Sequence, residues 1–335
     1  MLYVGIDLHK KTIMLCAVNQ AREVVKRQNC CCVEKERILS FFRALGPFQA
    51  VVEATASYEW LWQLLEPVAA RLVLAHPKKL RVIAESTRKT DRIDAKVLAD
   101  FLALDMIPEA YRPTPRQRQH RALVRQRCYL RRRIASVKNK MRRILSDYNA
   151  DRKDLFSVEG LAYLAQVAVS AADRFILKQL RQQWESLEEQ LVAMTKALRQ
   201  FAKKAPAREA EARAVLATIP GVGSTTVDIV ISEVADVQRF RSAKQVAAYA
   251  GLVPGVRESA GHRKELSITK EGSGLLRWAL VEAAWRLVRG SRRWSTIFEG
   301  LHRRRGKKKA IVAVARRLLT VMVALWRGGQ EYRLA

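Results

Sequence analysis

Residues 86–100 read STRKTDRIDAKVLAD and set Asp91, Asp94 and Asp100 among Arg88, Lys89, Arg92 and Lys96. Asp91 and Asp94 are three apart, so on a helix both leave the same face. Two further acids follow apolar runs: Asp7 in VGIDLH and Glu53 in AVVEATAS. Acids at strand ends lie on the rim where sheets flanked by helices build their sites. Four convergent carboxylates repel one another and call for a cation to offset their charge. Oxygen ligands that share coordination with substrate phosphates suit Mg²⁺. Two such ions can clamp the attacking and leaving oxygens of a phosphodiester. A single acid of this kind is usually a helix cap or turn residue, and the four together weaken that reading. Arg88, Lys89, Arg92 and Lys96 then fit phosphate contacts, with i, i+4 ion pairs as the alternative.

The elements that must position these acids alternate. LYVGID and TIMLCAV read as strands, and VVKRQNCC continues the meander. VEKERILSFFRAL reads as helix, QAVVEA as strand, YEWLWQLLEPVAA as helix, RLVLAHP as strand, and the Asp-bearing stretch as helix again. That order predicts a mixed sheet flanked by helices. Pro113 and Pro115 close the block.

The chain of 335 residues holds 62 Lys and Arg against 32 Asp and Glu, a formal net charge of +30. Such an excess opposes compaction and favours a polyanion, with nucleic acid the leading candidate. No apolar run reaches membrane-spanning length, and the start reads as strand rather than leader. The five cysteines, three of them contiguous at Cys30, Cys31 and Cys32, form no disulfide framework and no zinc-ligand spacing. They fit a reducing cytoplasm and small apolar residues buried in a strand. The five histidines are scattered and suggest no cluster.

From Arg112 to Ser146 there are thirteen Lys or Arg and no Asp or Glu. Leu123, Leu130, Ile134, Val137, Met141, Ile144 and Tyr148 make a heptad stripe through this run. A second stripe comprises Leu177, Leu180, Trp184, Leu187, Leu191, Met194, Leu198 and Phe201. Two such helices in succession predict a coiled-coil hairpin or a dimerising arm, with a basic face that includes Arg131, Arg132 and Arg133.

After Pro206 the pattern changes. IPGVGSTT is a Gly-rich turn opening a helix, and resembles a helix-hairpin-helix turn in which Gly221 and Gly223 let backbone N–H groups reach a phosphate. RESAGHRKELSITKEGS reads as a polar loop. Two apolar-periodic helices follow, separated by the basic run Arg303, Arg304, Arg305, Lys307, Lys308 and Lys309.

GIDLHK, VVEATASY and RKTDRIDAKVLADF, then IPGVG, AAYAGLVPG and SITKEGSGLLRWAL, together resemble the DEDD transposases of the insertion-sequence one-ten family, bridge-RNA-guided recombinases. The resemblance spans the chain with the motifs in order. It implies an RNase H-like (RuvC-like) catalytic domain over 1–112 with Asp7, Glu53, Asp91 and Asp94 as Mg²⁺ ligands. It implies a basic coiled-coil arm over 113–205 and a mainly helical transposase domain over 206–335. Within that last domain it implies a nucleophilic serine, which maps by position onto Ser259. A noncoding RNA that pairs with target and donor DNA, a homotetramer with composite sites, and work at the nucleoid of a prokaryotic cell are implied as well.

From the residues alone, Ser259 is a hydroxyl in a polar turn, and Ser224, Ser267 and Ser273 stand nearby. A serine hydroxyl needs a base or a metal to become a nucleophile. Two other readings stay open: a junction nuclease in which the four acids and two metals activate water, and a nucleic-acid-binding scaffold whose acids are structural.

Overall fold

A computed structural model describes residues 1–55, 57–83, 91–259 and 262–333, and the chain divides into two compact units, Met1–Arg112 and Pro113–Ala335. In the first unit the alternating apolar residues pair as expected. Leu2–Leu8 (β1), Thr12–Val18 (β2) and Val24–Cys31 (β3) form an antiparallel meander. Lys35–Arg43 (α1) leads to Phe48–Glu53 (β4), and Glu59–Leu65 (α2) to Arg71–Ala75 (β5). Pro77–Ile83 (α3) and Asp91–Ala103 (α4) complete the unit. The strand order is β3-β2-β1-β4-β5, with β4 parallel to both β1 and β5. This mixed α/β sheet is consistent with an RNase H-like fold.

Strand alternation divides the sheet's apolar residues between two layers. Val4, Ile6 and Val52 pack under Phe41 and Phe42 of α1 and Leu61 of α2. On the other face Val51 packs with Leu98 and Leu102 of α4, while Cys16 and Val18 pack with Ala95 and Ala99. The cysteine triplet alternates with the strand's pleat: Cys30 is buried, Cys31 is exposed and Cys32 is between.

In the second unit Pro115–Ser146 (α5) opens on Thr114, whose hydroxyl accepts from the Gln117 amide while the Gln117 side chain caps the Thr114 N–H. Val158–Gln166 (α6) and Ala171–Lys203 (α7) follow. The two long stripes bury against each other within the chain as an antiparallel hairpin. Leu130 and Ile134 meet Leu191, and Val137, Met141 and Leu145 meet Leu177 and Leu180. At the centre the expected stripe of α5 is the buried one. At its ends burial shifts to Val124 and Leu145, and Tyr148 is 39% exposed. A straight helix of 3.6 residues per turn drifts off a seven-residue repeat, which accounts for the shift.

Ala207–Ala217 (α8), Ser224–Val234 (α9) and Ala243–Tyr249 (α10) lead to a two-stranded hairpin of Pro254–Ser259 (β6) and His262–Ile268 (β7). The stretch expected as a polar loop is therefore a β-ribbon, held by backbone pairing that its polar composition concealed. Gly274–Gly290 (α11), Arg292–Arg305 (α12) and Lys307–Gly328 (α13) end the chain. Leu280, Ala283 and Ala284 of α11 pack with Val314, Ala315 and Leu318 of α13 and with Ile229 of α9. Small residues at 283, 284 and 315 let these helices approach closely. Among the described residues no helix is long and apolar enough to cross a membrane.

Candidate active site and nucleic-acid surfaces

Asp7 ends the apolar run of β1, and Glu53 is the last residue of β4. The parallel register of β1 and β4 pairs Gly5 with Val51 and Ile6 with Val52, so one step further sets Asp7 beside Glu53. Both acids share a face with Gly5 and Val51, the face that α4 covers. Tyr3 packs among Leu98 and Leu102, while Gly5 lies beneath Ala95 and Ala99. The helix therefore runs antiparallel to β1 and carries its first turn toward the Asp7 end of the strand. That first turn holds Asp91 and the half-buried Asp94, where the helix dipole favours negative charge. The Asp91 and Arg92 side chains and the whole of Arg88 and Lys89 lie outside the described residues. Lys96 is not free for phosphate: its Nζ sits 2.5 Å from Asp100 Oδ2 as an i, i+4 pair.

The donor chemistry of Asp7, Glu53 and Asp94 is all carboxylate oxygen, which fits a hard divalent cation. Among the described residues no three His, Cys, Asp or Glu side chains already stand close enough to hold a metal ion. The fit therefore rests on the donor types and on their common face. One neighbour escaped the sequence reading. His9 Nε2 lies 3.1 Å from Asp7 Oδ2, with the imidazole half-exposed and the carboxylate mostly covered. Its signal was the i, i+2 spacing in GIDLH, which places both side chains on one side of an extended chain.

Ser259 closes β6, paired across the ribbon with His262, and its side chain lies outside the described residues. Gly221 adopts φ +77° in the turn before α9, and a Cβ there would come 3.0 Å from Cβ of Arg286 on α11. Gly223 is the N-cap of α9. Arg303, Arg304 and Arg305 end α12, and Lys307 and Lys308 begin α13 across Gly306 at φ +75°. All five are exposed. Cations at the end of α12 favour its dipole, whereas those in the first turn of α13 oppose it. The dipole therefore does not explain Lys307 and Lys308, although Lys307 Nζ also sits 5.5 Å from the centre of the Trp285 ring.

The acid-free helix α5 proves less available to a polyanion than its sequence suggests. Arg116 pairs with Glu209 at 2.6 Å, and Arg125 binds the buried Glu233 through two contacts of 2.8 and 3.0 Å. Arg213 of α8 donates to Asp228 of α9 at 2.6 Å, and the same carboxylate meets His120 of α5 at 3.2 Å. Burial opposes ionisation of Asp228, yet its hydrogen bonds with His120 and Arg213 outweigh that and hold its carboxyl below the usual range. The N-terminal half of α5 thus neutralises acids contributed by its neighbours. Among the described residues Arg131 and Arg133 have no acidic partner and stand exposed, while Arg132 turns its Nε to the Cys128 carbonyl.

Two family models match the sequence. Residues 4–150 match a transposase model of the DEDD, IS110 type, and residues 213–299 match the transposase IS116/IS110/IS902 family. The transposase for insertion sequence element IS1111A of Coxiella burnetii is 25% identical over 339 residues, covering 98% of this chain and 91% of that protein. The pilin gene-inverting protein of Moraxella lacunata is 26% identical over 349 residues, covering 98% of this chain and 97% of that protein. Asp7, Glu53, Asp91 and Asp94 all fall within the DEDD match and Ser259 within the second. With the strand-end acids, the α4 aspartates and both matches in agreement, the chain belongs to the IS110 family of DEDD transposases, enzymes that act on DNA.

Proposed function

We propose that the chain is the site-specific recombinase of an insertion sequence, cutting and rejoining target and donor DNA through a phosphoserine at Ser259. The observation that carries this reading is the shared face of Asp7 and Glu53 at neighbouring strand ends, beneath the helix that brings Asp94. Asp7, Glu53, Asp91 and Asp94 would hold Mg²⁺, which when bound supplies positive charge beside the phosphodiester.

The serine oxygen forms a bond to phosphorus as the bond from phosphorus to the leaving deoxyribose oxygen breaks. The serine proton passes to a base in the site, and the leaving oxygen takes up a proton. Attack by the hydroxyl of a new strand reverses the step, restores a phosphodiester and frees Ser259. One bond forms for each bond broken, so no external energy source is needed.

Choice of sites falls to a noncoding bridge RNA that pairs with target and donor, leaving the protein to bind backbones. The exposed cations Arg131, Arg133, Arg303, Arg304, Arg305, Lys307 and Lys308 support that division of labour. Gly221 and Gly223 support a phosphate contact at the turn before α9. Exchange requires four strands to be cut, which supports a homotetramer. The name of the Moraxella relative, a gene-inverting protein, supports recombination as the outcome.

The test is a denaturing gel of the purified protein with its element's RNA, labelled target and donor DNA, and Mg²⁺. A protease-sensitive protein–DNA adduct, absent in Ser259→Ala and in Asp94→Asn, is the expected result. Cut DNA with free ends, no adduct and full activity in Ser259→Ala would instead identify a metal-dependent nuclease.

A further inference from the structure

A cavity of about 670 Å³ opens in the second unit where α5, α9 and the exposed side of α11 meet. That volume falls in the range of small-ligand sites, about 300–1,000 Å³. Four arginines line it, Arg127, Arg131, Arg132 and Arg286, against the single acid Glu282. Arg131 and Arg286 have no acidic partner among the described residues, and both are exposed. Glu282 and Arg286 stand four apart on α11 yet form no ion pair. Unpaired guanidinium groups facing one cavity are a standing attraction for phosphate, which they bind through two parallel N–H donors.

The same wall carries Trp278, 53% exposed on a helix whose opposite side is fully buried. An indole left half in water forgoes the burial that its large apolar area would gain. Alone it would be unremarkable, but here it lines the arginine cavity one helical turn from Glu282. Phosphate binding by arginine does not call for a flat aromatic surface. A nucleobase does, because stacking on an aromatic ring requires a free π-face on both partners. Bases inside a duplex have none to offer, so the occupant must be unpaired.

We infer that this cavity takes one unpaired nucleotide of DNA or RNA, its phosphate held by Arg131 and Arg286 and its base stacked on Trp278. The inference rests on the nucleic-acid reading above and adds to it a site separate from Ser259 and the carboxylates. Its chemistry suits the strand that melting a target duplex displaces, or a loop of a guide RNA.

The experiment measures the affinity of the full chain by fluorescence anisotropy for three labelled probes: oligothymidylate, oligouridylate and a blunt DNA duplex of equal length. Trp278→Ala should weaken at least one unpaired probe about tenfold and leave the duplex within about twofold. Trp278→Phe, which keeps a ring, should stay within about threefold of the parent on every probe. The unpaired probe that loses affinity identifies the strand that occupies the cavity. Equal loss on duplex and unpaired probes, or no loss on either unpaired probe, overturns the site. Failure of the parent to bind any of the three would overturn the nucleic-acid reading itself. Duplex binding with oligonucleotide affinity indifferent to Trp278 would remove the cavity alone. Circular dichroism of both variants checks that this exposed position leaves the fold intact.

Discussion

Gly5 of β1 lies directly beneath Ala95 of α4: a Cβ on Gly5 would overlap the Ala95 carbonyl oxygen and the Ala99 amide nitrogen. Backbone cannot yield to a methyl group as a flexible side chain can, so the helix would have to lift. Asp94 precedes Ala95 and Asp7 follows Gly5 by two, so this contact sets how far apart the two acids stand. Gly5→Ala is expected to cost about 2 kcal/mol of stability. It should also cut DNA strand transfer about a hundredfold through misplacement of Asp94. Urea denaturation and a strand-transfer assay read the two effects. Unchanged activity would show that α4 does not carry an active-site residue.

Asp94→Asn keeps the shape of the side chain and removes its charge. Strand transfer should fall by at least about a hundredfold while DNA affinity holds within about threefold. His9→Ala is a milder change, because His9 acts through Asp7. It should weaken the apparent affinity for the activating divalent ion about tenfold. A metal titration of activity distinguishes the two variants, since excess metal should rescue His9→Ala and not Asp94→Asn.

Lys307 and Lys308 oppose the dipole of their own helix. Lys307→Ala with Lys308→Ala should change thermal stability little, since relief from the dipole offsets loss of the Lys307 contact over the Trp285 ring. The same double variant should lower the slope of log affinity against log salt by about 2 on duplex DNA. A slope equal to that of the parent would remove this junction from the nucleic-acid surface.

Glu233 is 1% exposed and depends on the Arg125 guanidinium for its compensation. Arg125→Ala should destabilise the second unit by about 2 kcal/mol, less than a fully buried pair would lose because the arginine is half in solvent. Adding Glu233→Gln should recover more than half of that loss. The midpoint of urea unfolding is the measurement, and an additive pair of losses would show that the two residues do not interact.

Asp228 titrates below its ordinary value in the folded chain because its partners His120 and Arg213 favour the charged form over the cost of burial. A depressed folded value means that stability is full above the unfolded carboxyl value, about 3.9, and is lost as pH falls through the folded one. Asp228→Asn should be less stable than the parent by about 2 kcal/mol at pH 7. The gap should narrow as pH drops below about 4. A gap constant from pH 7 to pH 3 would contradict the ionised pairing.

Strand alternation in LYVGID and QAVVEA, the three-residue spacing of Asp91 and Asp94, and the two Leu stripes are local periodicities. A chain must satisfy them to bury its apolar atoms, which is why the mixed sheet, the strand-end acids and the hairpin helices are legible in the sequence. The order β3-β2-β1-β4-β5 is not, because β1 pairs with β4 through residues 46 positions apart, such as Leu2 and Phe48. The same holds for Gly5 under Ala95, for the partners that absorb Arg116 and Arg125, and for the ribbon at Ser259. It holds above all for the cavity where Arg131, Arg286 and Trp278 converge from helices about 150 residues apart in the chain. Sequence determined the kinds of residue and the elements that carry them. Long-range packing, invisible to local pattern, decided which cations are already neutralised and which remain open to a nucleic acid.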